Sequence, residues 1–254
     1  MPRLSILIPA YNCLPDVLRC LTSALATTDP VITEVLIQDD ASTEYDGPTV
    51  FGADRCARNA HNLGFAANCN AAAGRAAGEV LLFLNQDCWA ERPGWDRALL
   101  DHFAAHPRCG IAGPTLLLPG GRVQSVGGAF DAASQPFHPH LGAANPDWQP
   151  INTARPVAWI TGAALAIRRD LWDALEGFDA EYARGYFEDV DLCVRAGLLG
   201  CETWHVPAVR LYHAVGSTGG SATFRANALR FKRRWVDSGV IEPGTHAPRA
   251  RFWV

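Results

Sequence analysis

The chain lacks the features that mark exported, membrane-spanning and nucleic-acid-binding proteins. Its opening segment, residues 1–12, has an apolar run too short for a signal peptide. No stretch reaches the roughly 18 uninterrupted apolar residues of a spanning helix. A formal charge of -4 provides no general attraction for nucleic acid. We therefore expect a cytoplasmic protein that does not bind nucleic acid.

The eight cysteines include no C-x-x-C pair. In a chain without an export signal, such cysteines are expected to be reduced and mostly buried. A disulfide framework or a cysteine zinc site is the lesser alternative. With 254 residues, of which 48% are hydrophobic and 19% charged, the chain is long enough for one large α/β domain without covalent staples.

Short apolar runs alternate with helical patterns along the first half of the chain. The predicted strands are 4–8, 34–38, 80–84 and 110–118, and the predicted helices are a first one capped by Asn12, a second over about 65–76 and a third over 93–105. Residues 45–60 have no regular pattern. This alternation predicts a parallel sheet with helical crossovers, in which ligands gather at the carboxyl ends of the strands.

The second half begins with residues 119–156, a segment rich in Gly, Pro and Asn. We expect a mobile loop there, with a hairpin around 123–126. His138 and His140 could suggest a metal site, but we favour a loop that forms part of an acceptor lid. The predicted elements that follow are strand 157–167, helix 169–175, helix 188–199, strand 203–212 and helix 222–236.

Carboxylates follow two of the predicted strands. Asp39 and Asp40 come after the second strand, where a carboxylate can accept a hydrogen bond from a nucleobase or ribose; a helix cap or an Asx turn is the alternative. Asp87 ends the sequence Asn85-Gln86-Asp87 after the third strand. It could bind the Mg²⁺ or Mn²⁺ that neutralises a diphosphate, or it could be a turn carboxylate.

A third acidic group, Glu188-Asp189-Val-Asp191, begins a predicted helix. The helix dipole alone explains acidic residues at that position, but one of them could also be a general base for a sugar hydroxyl. We expect Asp191 to support the loop instead. His213 follows the last predicted strand, where a histidine is either structural or a neutral metal ligand.

Eight segments in order resemble the family-2 glycosyltransferases with the GT-A fold, especially the bacterial rhamnosyltransferase-like branch. They are SILIPAYN (5–12), VLIQDDAST (35–43), NLGFAANCNAA (62–72), VLLFLNQD (80–87), GIAGPTLL (110–117), ITGAALAIRRDLW (160–172), GFDAEYARGYFEDVDLCVRAG (177–197) and VRLYHAVGS (209–217). The resemblance implies a Rossmann-like, mostly parallel sheet flanked by helices, with a smaller antiparallel acceptor-side part and a C-terminal helix. It also implies one domain, residues 1–254, with a nucleotide-sugar half (1–118), an acceptor half (119–220) and a C-terminal extension (221–254).

The resemblance also implies a role for individual residues. Those matched to the nucleotide-binding positions are Pro9, Tyr11, Asn12, Asp39, Asp40, Asn62 and Gly64. Those matched to the donor-sugar positions are Asn85, Gly162 and Ala163. Asp87 and His213 match the ligands of a divalent cation, Mn²⁺ or Mg²⁺, and Asp189, with Glu188 beside it, matches the catalytic base.

The motif departs from the D-x-D pattern because Asn85 replaces its first acid. Asn-x-Asp also occurs in the rhamnosyltransferase-like branch, so the change does not indicate an inactive enzyme. It removes one negative charge, and we expect modest metal affinity with the diphosphate supplying much of the coordination.

The implied activity is inverting transfer of a sugar from a nucleotide-diphosphate donor, dTDP-rhamnose or a UDP-sugar, to a hydroxyl of a saccharide, lipid-linked or natural-product acceptor, as in polysaccharide biosynthesis. A sugar-phosphate nucleotidyltransferase is one alternative, but PAYNCLPD lacks the glycine-rich, basic loop that such an enzyme needs. A non-catalytic nucleotide-sugar-binding module is the other, and Asp87, Asp189 and His213 argue against it.

The C-terminal segment 224–235 mixes basic and aromatic residues. A helix packed on the domain is the simpler interpretation. The alternative is peripheral contact with an anionic membrane at its inner face, or with a lipid-diphosphate acceptor.

Overall fold

The computed structural model describes residues 2–215 and 221–241. The strands are β1 (Leu4–Ala10), β2 (Thr33–Asp39), β3 (Cys56–Arg58), β4 (Val80–Leu84), β5 (Cys88–Trp89), β6 (Cys109–Leu117), β7 (Val123–Ser125), β8 (Ala129–Phe130), β9 (Pro136–Phe137), β10 (Arg155–Pro156), β11 (Ala164–Arg168) and β12 (Glu202–His213). The helices are α1 (Leu14–Thr27), α2 (Gly47–Phe51), α3 (Phe65–Ala73), α4 (Trp95–Ala105), α5 (Arg169–Ala174), α6 (Glu188–Leu198) and α7 (Ser221–Phe231), and a π-helical turn (Lys232–Val236) follows α7.

One sheet runs through both halves of the chain in the order β10-β12-β6-β11-β4-β1-β2-β3. β1 is parallel to β2 and β4, β2 is parallel to β3, and β6 is parallel to β12. β11 is antiparallel to both of its neighbours, β4 and β6. β8 and β9 form a separate small antiparallel sheet. The predicted fold class, a mostly parallel Rossmann-like sheet with a smaller antiparallel part, is confirmed.

The central strands are apolar throughout because both faces of the sheet are covered by helices. Alternate residues of β4 point to opposite faces, so Leu82 belongs to the core beneath α1 and α4 while Phe83 belongs to the core beneath α3 and α6. A strand buried on both faces has no polar side, and its sequence is therefore a continuous hydrophobic run.

Four local predictions are wrong. The segment 119–156, predicted as a loop with one hairpin, also contains β8, β9 and β10. Asn12 does not cap α1: its Oδ1 accepts the backbone N–H of Thr43 at 2.7 Å, and α1 begins after Cys13, which caps with no side-chain hydrogen bond. Residues 45–60 contain α2 and β3, because Asp46 Oδ1 accepts the N–H of Thr49 at 3.0 Å and starts a helical turn. The predicted strand 157–167 is interrupted, and β11 begins only at Ala164 after a turn at 161–163.

The cysteine prediction is confirmed, since all eight are free thiols and six are buried, namely Cys20, Cys56, Cys69, Cys88, Cys109 and Cys193. The C-terminal helix packs on the domain. Arg234 lies 2.7 Å from Asp179 and 3.2 Å from Asp191, and Arg230 also pairs with Asp179, at 3.1 Å. The membrane-contact alternative gains no support, because these arginines face carboxylates of the same chain. Within the described ranges, every helix is too short or too polar to span a bilayer.

Candidate active site

Asp87 and His213 meet at the carboxyl edge of the sheet. Asp87 follows β4, and the antiparallel register of β12 with β5 places His213 opposite Cys88. As a result, His213 Nε2 lies 3.1 Å from Asp87 Oδ1, and both side chains are buried. One carboxylate oxygen and one imidazole nitrogen at this spacing fit a divalent cation that takes its remaining ligands from a diphosphate and water.

Cys88 is the third member of this cluster, with ligand atoms within 4.8 Å of one another. Its Sγ–H donates to the Ala163 carbonyl at 3.3 Å, and burial raises the pKa of the thiol. Because the thiol is held in a hydrogen bond in its protonated form, the oxygen and nitrogen of Asp87 and His213 are the better fit for a hard cation.

Gln124 in β7 fixes the other nitrogen of His213. Its amide group lies 2.9–3.0 Å from Nδ1. When Nδ1–H donates to Gln124 Oε1, Nε2 keeps its lone pair toward Asp87, which is the tautomer a metal ligand needs. Sequence reasoning missed Gln124, because it lies in the predicted hairpin around 123–126 and belongs to no motif.

The middle residue of the Asn-x-Asp motif connects it to the loop after β1. Gln86 Oε1 accepts the Tyr11 N–H at 2.7 Å, and its Nε2 donates to the carbonyls of Tyr11 at 3.2 Å and Asn12 at 3.3 Å. The amide thus pairs with the backbone as a neighbouring strand would. Sequence reasoning missed Gln86 as well, since the pattern assigns its middle position no role.

Asn85 is anchored by its backbone, and its side-chain oxygen is buried. The Asn85 N–H donates to the Ala163 carbonyl at 2.9 Å. Its Oδ1 is buried without a hydrogen-bond partner in the part of the chain that the structure describes. A buried, unsatisfied amide oxygen is costly, and a donor-sugar hydroxyl would satisfy it.

Asp189 in α6 is bonded by the 161–163 turn, which also bonds Asn85 and Cys88 on either side of Asp87. Its Oδ2 accepts the Gly162 N–H at 2.8 Å, and its Oδ1 accepts the Val190 N–H at 2.8 Å. Ala163, which follows Gly162 in the turn, accepts hydrogen bonds from the Asn85 N–H and the Cys88 thiol through its carbonyl. Burial raises the pKa of Asp189, so the carboxylate is a stronger base than an exposed aspartate.

Glu188 is buried beside Asp189, and its Oε2 has no hydrogen-bond partner among the described residues. Burial and the neighbouring charge of Asp189 raise the pKa of Glu188 well above its usual range. A Cβ on Gly162 would lie 3.2 Å from the Phe65 ring and 3.5 Å from Glu188 Oε1, so only a very small residue leaves space here. As predicted, Asp191 supports the loop, by accepting hydrogen bonds from the Tyr182 hydroxyl and the Trp235 indole.

The two aspartates at the end of β2, Asp39 and Asp40, have separate roles. Asp39 is fully buried and accepts the N–H groups of Ser42 at 2.9 Å and Gly47 at 3.1 Å, and it pairs with Arg58. The turn alternative therefore describes Asp39 well. With no exposed surface and three partners, the Asp39 carboxylate is taken up by these contacts within the chain.

Asp40 holds the turn that begins α3. Its oxygens accept the N–H groups of Leu63 at 2.8 Å and Gly64 at 2.9 Å, and the Asn59 side chain at 2.8 Å. Gly64 has φ of +85°, which glycine adopts without strain. The remaining nucleotide-site predictions lie at the same edge: Pro9 is buried at the end of β1, and Tyr11, Asn12 and Asn62 are exposed or half-buried.

Comparison with known proteins places the chain in a family. The profile described as "Glycosyl transferase family 2" matches residues 5–123. The N-acetylglucosaminyl-diphospho-decaprenol L-rhamnosyltransferase of Mycobacterium tuberculosis is 32% identical over 253 residues, which cover 85% of this chain and 78% of that protein. The chain belongs to glycosyl transferase family 2. The predicted family resemblance, to its rhamnosyltransferase-like branch, is confirmed.

This family-2 chain also matches longer proteins. The O-antigen biosynthesis protein RfbC of Myxococcus xanthus is 30% identical over 95% of the chain, but the chain spans 19% of that protein and 28% of another curated relative. A crystal structure of GalNAc-T7 with UDP, GalNAc and Mn²⁺ superposes with a TM-score of 0.74 at 17% identity, over 92% of this chain and 49% of that one. The likeness establishes the shared GT-A fold.

Proposed function

We propose that the chain transfers a sugar from a nucleotide-diphosphate donor to an acceptor hydroxyl with inversion at the anomeric carbon. The observation that carries this proposal is the turn at 161–163, which bonds Asp189 through one residue and the Asn85-Gln86-Asp87 motif through the next. A base and a diphosphate site bonded to one turn would be held in a fixed relation to each other, as a single displacement requires.

Asp189 is the proposed base. Its Oδ2 and Oδ1 each accept one backbone N–H, which fixes the carboxylate and leaves further lone pairs for an acceptor O–H. It takes the hydroxyl proton as the oxygen bonds to the anomeric carbon and the bond to the diphosphate breaks. Because its pKa is raised by burial, the acidic limb of turnover is expected above the range of an ordinary aspartate.

The loop after β1 and the aspartates at the end of β2 are the proposed nucleotide site. Tyr11 is 41% exposed and can stack on the base. Asp40 has three donors and keeps one acceptor site for the base or ribose, while the fully buried Asp39 beside it supports the loop. Gly64 and Asn62 form the proposed turn beside the ribose and diphosphate. Asn85, Gly162 and Ala163 are the proposed contacts to the donor sugar.

Asp87 and His213 would hold a divalent cation, and Mn²⁺ in the GalNAc-T7 structure supports metal use. When bound, such an ion neutralises the charge of the departing diphosphate. The name of the Mycobacterium tuberculosis relative supports a rhamnosyl donor such as dTDP-rhamnose ahead of UDP-sugars. It also supports a saccharide or lipid-linked acceptor.

Asp189→Asn tests the proposal. We expect transfer and donor hydrolysis with Mn²⁺ to fall by about 10²–10⁴-fold, while the dissociation constant for the nucleoside diphosphate, measured by calorimetry, stays within about twofold. Asp170→Asn is the matched control, because Asp170 is exposed on α5 at the opposite edge of the sheet. Near-normal turnover by the Asp189 variant would remove it as the base.

The same assay separates the alternative functions. Turnover that requires a nucleoside triphosphate and a sugar phosphate would favour a nucleotidyltransferase. Tight binding of sugar nucleotides, with neither transfer nor hydrolysis across a panel of acceptors, would favour a binding module. Release of nucleoside diphosphate from a sugar nucleotide alone supports the glycosyltransferase.

A further inference from the structure

The 183–187 loop, which immediately precedes Glu188 and Asp189, has an unusual backbone. The φ angles are 60° at Arg184, 108° at Gly185, 74° at Tyr186 and 73° at Phe187. Residues with large side chains adopt this left-handed region at a cost, and such conformations persist only where their surroundings hold them. Phe187 is also the N-terminal cap of α6. The loop therefore sets where the helix that carries Asp189 begins.

One side chain of the C-terminal helix holds this backbone. Asn227 in α7 is buried, and its Nδ2 donates to the carbonyls of Gly185 at 2.8 Å and of Ala183 and Tyr186 at 3.2 Å. Three carbonyls that converge on one N–H₂ group face each other with the same partial charge. The amide hydrogens offset that repulsion, which no apolar side chain could do.

Aromatic contacts from α7 also hold the loop. The Phe224 ring lies 5.4 Å from that of Tyr186 and 5.3 Å from that of Phe187. The buried Phe231 ring lies 5.4 Å from that of Phe187. The helix thus holds the loop through the Asn227 amide and through the packing of the Phe224 and Phe231 rings.

The loop also lies against the nucleotide turn. A Cβ on Gly64 would come within 3.0 Å of the Arg184 backbone nitrogen and 3.3 Å of its Cα. One strained segment therefore joins the turn held by Asp40 to the first residue of the helix that carries Asp189.

We propose that Asn227 is a positioning residue for the transfer step: by fixing the 183–187 loop, it directs the Asp189 carboxylate toward the acceptor hydroxyl. This inference rests on the proposed function, in which Asp189 is the base. Asn227 acts through the loop and does not touch the reacting atoms. The C-terminal helix therefore contributes to catalysis as well as to stability.

Asn227→Asp tests the inference with a side chain of the same size that presents no N–H to the carbonyls. We expect kcat for transfer to fall by about 100-fold, because a misplacement of about 1 Å has that effect on a base. The dissociation constant for the nucleoside diphosphate with Mn²⁺ should stay within about twofold. Arg225→Ala, an exposed neighbour on α7, is the matched control and should leave kcat and nucleotide affinity unchanged.

Phe224→Ala keeps the test decisive if the aspartate variant does not fold. Phe224 is 47% exposed, so its loss removes the contacts to the loop with little loss of core. It should lower kcat by about tenfold with nucleotide affinity intact. Circular dichroism and thermal unfolding establish that each variant is folded.

Asp189→Asn, measured in parallel, separates the two proposals. The positioning role alone is overturned if the Asp189 variant is inactive while the folded Asn227 variant keeps kcat within twofold of the parent. Unchanged kcat in Phe224→Ala also overturns it. An active Asp189 variant overturns the proposed function. A fall in kcat accompanied by an equal loss of nucleotide affinity also overturns the positioning role, because the effect would then be a general loss of structure.

Discussion

Replacing Gln124 by leucine should weaken metal binding without touching a metal ligand. The Gln124 amide lies 2.9–3.0 Å from His213 Nδ1, and His213 is 8% exposed, so water cannot readily replace the lost acceptor. An unsatisfied buried N–H costs about 1–3 kcal/mol. Loss of such a partner to a ligating histidine typically lowers metal affinity by about 10–100-fold, which corresponds to about 1.4–2.7 kcal/mol. We expect that loss for Mn²⁺.

Paramagnetic resonance measures it directly, since free Mn²⁺ can be titrated at a saturating concentration of nucleoside diphosphate. Gln124→Glu is the matched variant, because its carboxylate still accepts the Nδ1–H and should retain or improve affinity. Gln149→Leu, at an exposed position, controls for the added apolar surface. Mn²⁺ affinity within twofold of the parent in Gln124→Leu would refute the argument that Gln124 selects the ligand tautomer of His213.

Two further predictions follow from the site. Gln86→Ala removes the hydrogen bonds to the Tyr11 and Asn12 backbone, each worth about 0.5–1.5 kcal/mol. It should weaken nucleoside diphosphate binding by about tenfold in calorimetry, and unchanged binding would contradict the role of Gln86 in holding the loop after β1. Because the pKa of Glu188 is raised in the folded chain, that group favours folding below its unfolded pKa and loses this contribution as the pH rises through the folded value. The melting temperature of Glu188→Gln should therefore increase relative to that of the parent as the pH rises from 5 to 8. A difference in melting temperature that does not depend on pH would argue against the raised pKa of Glu188.

The fold could be predicted in outline because buried positions are occupied by apolar residues. β4 is read correctly to the residue, since a strand covered on both faces must be apolar at every position. The interrupted strand was missed for the complementary reason. Residues 157–163 are as apolar as a strand, but 157–159 bond Thr203 and Gly128, and the 161–163 turn separates them from β11.

The candidate site was predictable where its chemistry lies in side chains. Asp87 and His213 could be paired through the family resemblance, and their contact is a contact of side chains. Gln86 and Gln124 could not, because each acts through an amide against a backbone or a ring nitrogen that no pattern marks. The role of Asn227 could not be predicted for the same reason, since its partners are three backbone carbonyls, which no sequence pattern marks.

The reversed direction of β11 explains how one turn can serve both halves of the site. In a parallel sheet every strand begins at the edge away from the ligand, so the residues before a strand lie far from the residues after its neighbour. β11 runs antiparallel to β4, and its first residue, Ala164, pairs with the last residue of β4, Leu84. The 161–163 turn before β11 therefore lies beside the Asn85-Gln86-Asp87 motif. Its backbone groups reach that motif on one side and Asp189 on the other. A parallel strand in the same position would place this turn at the opposite edge, where it could bond neither.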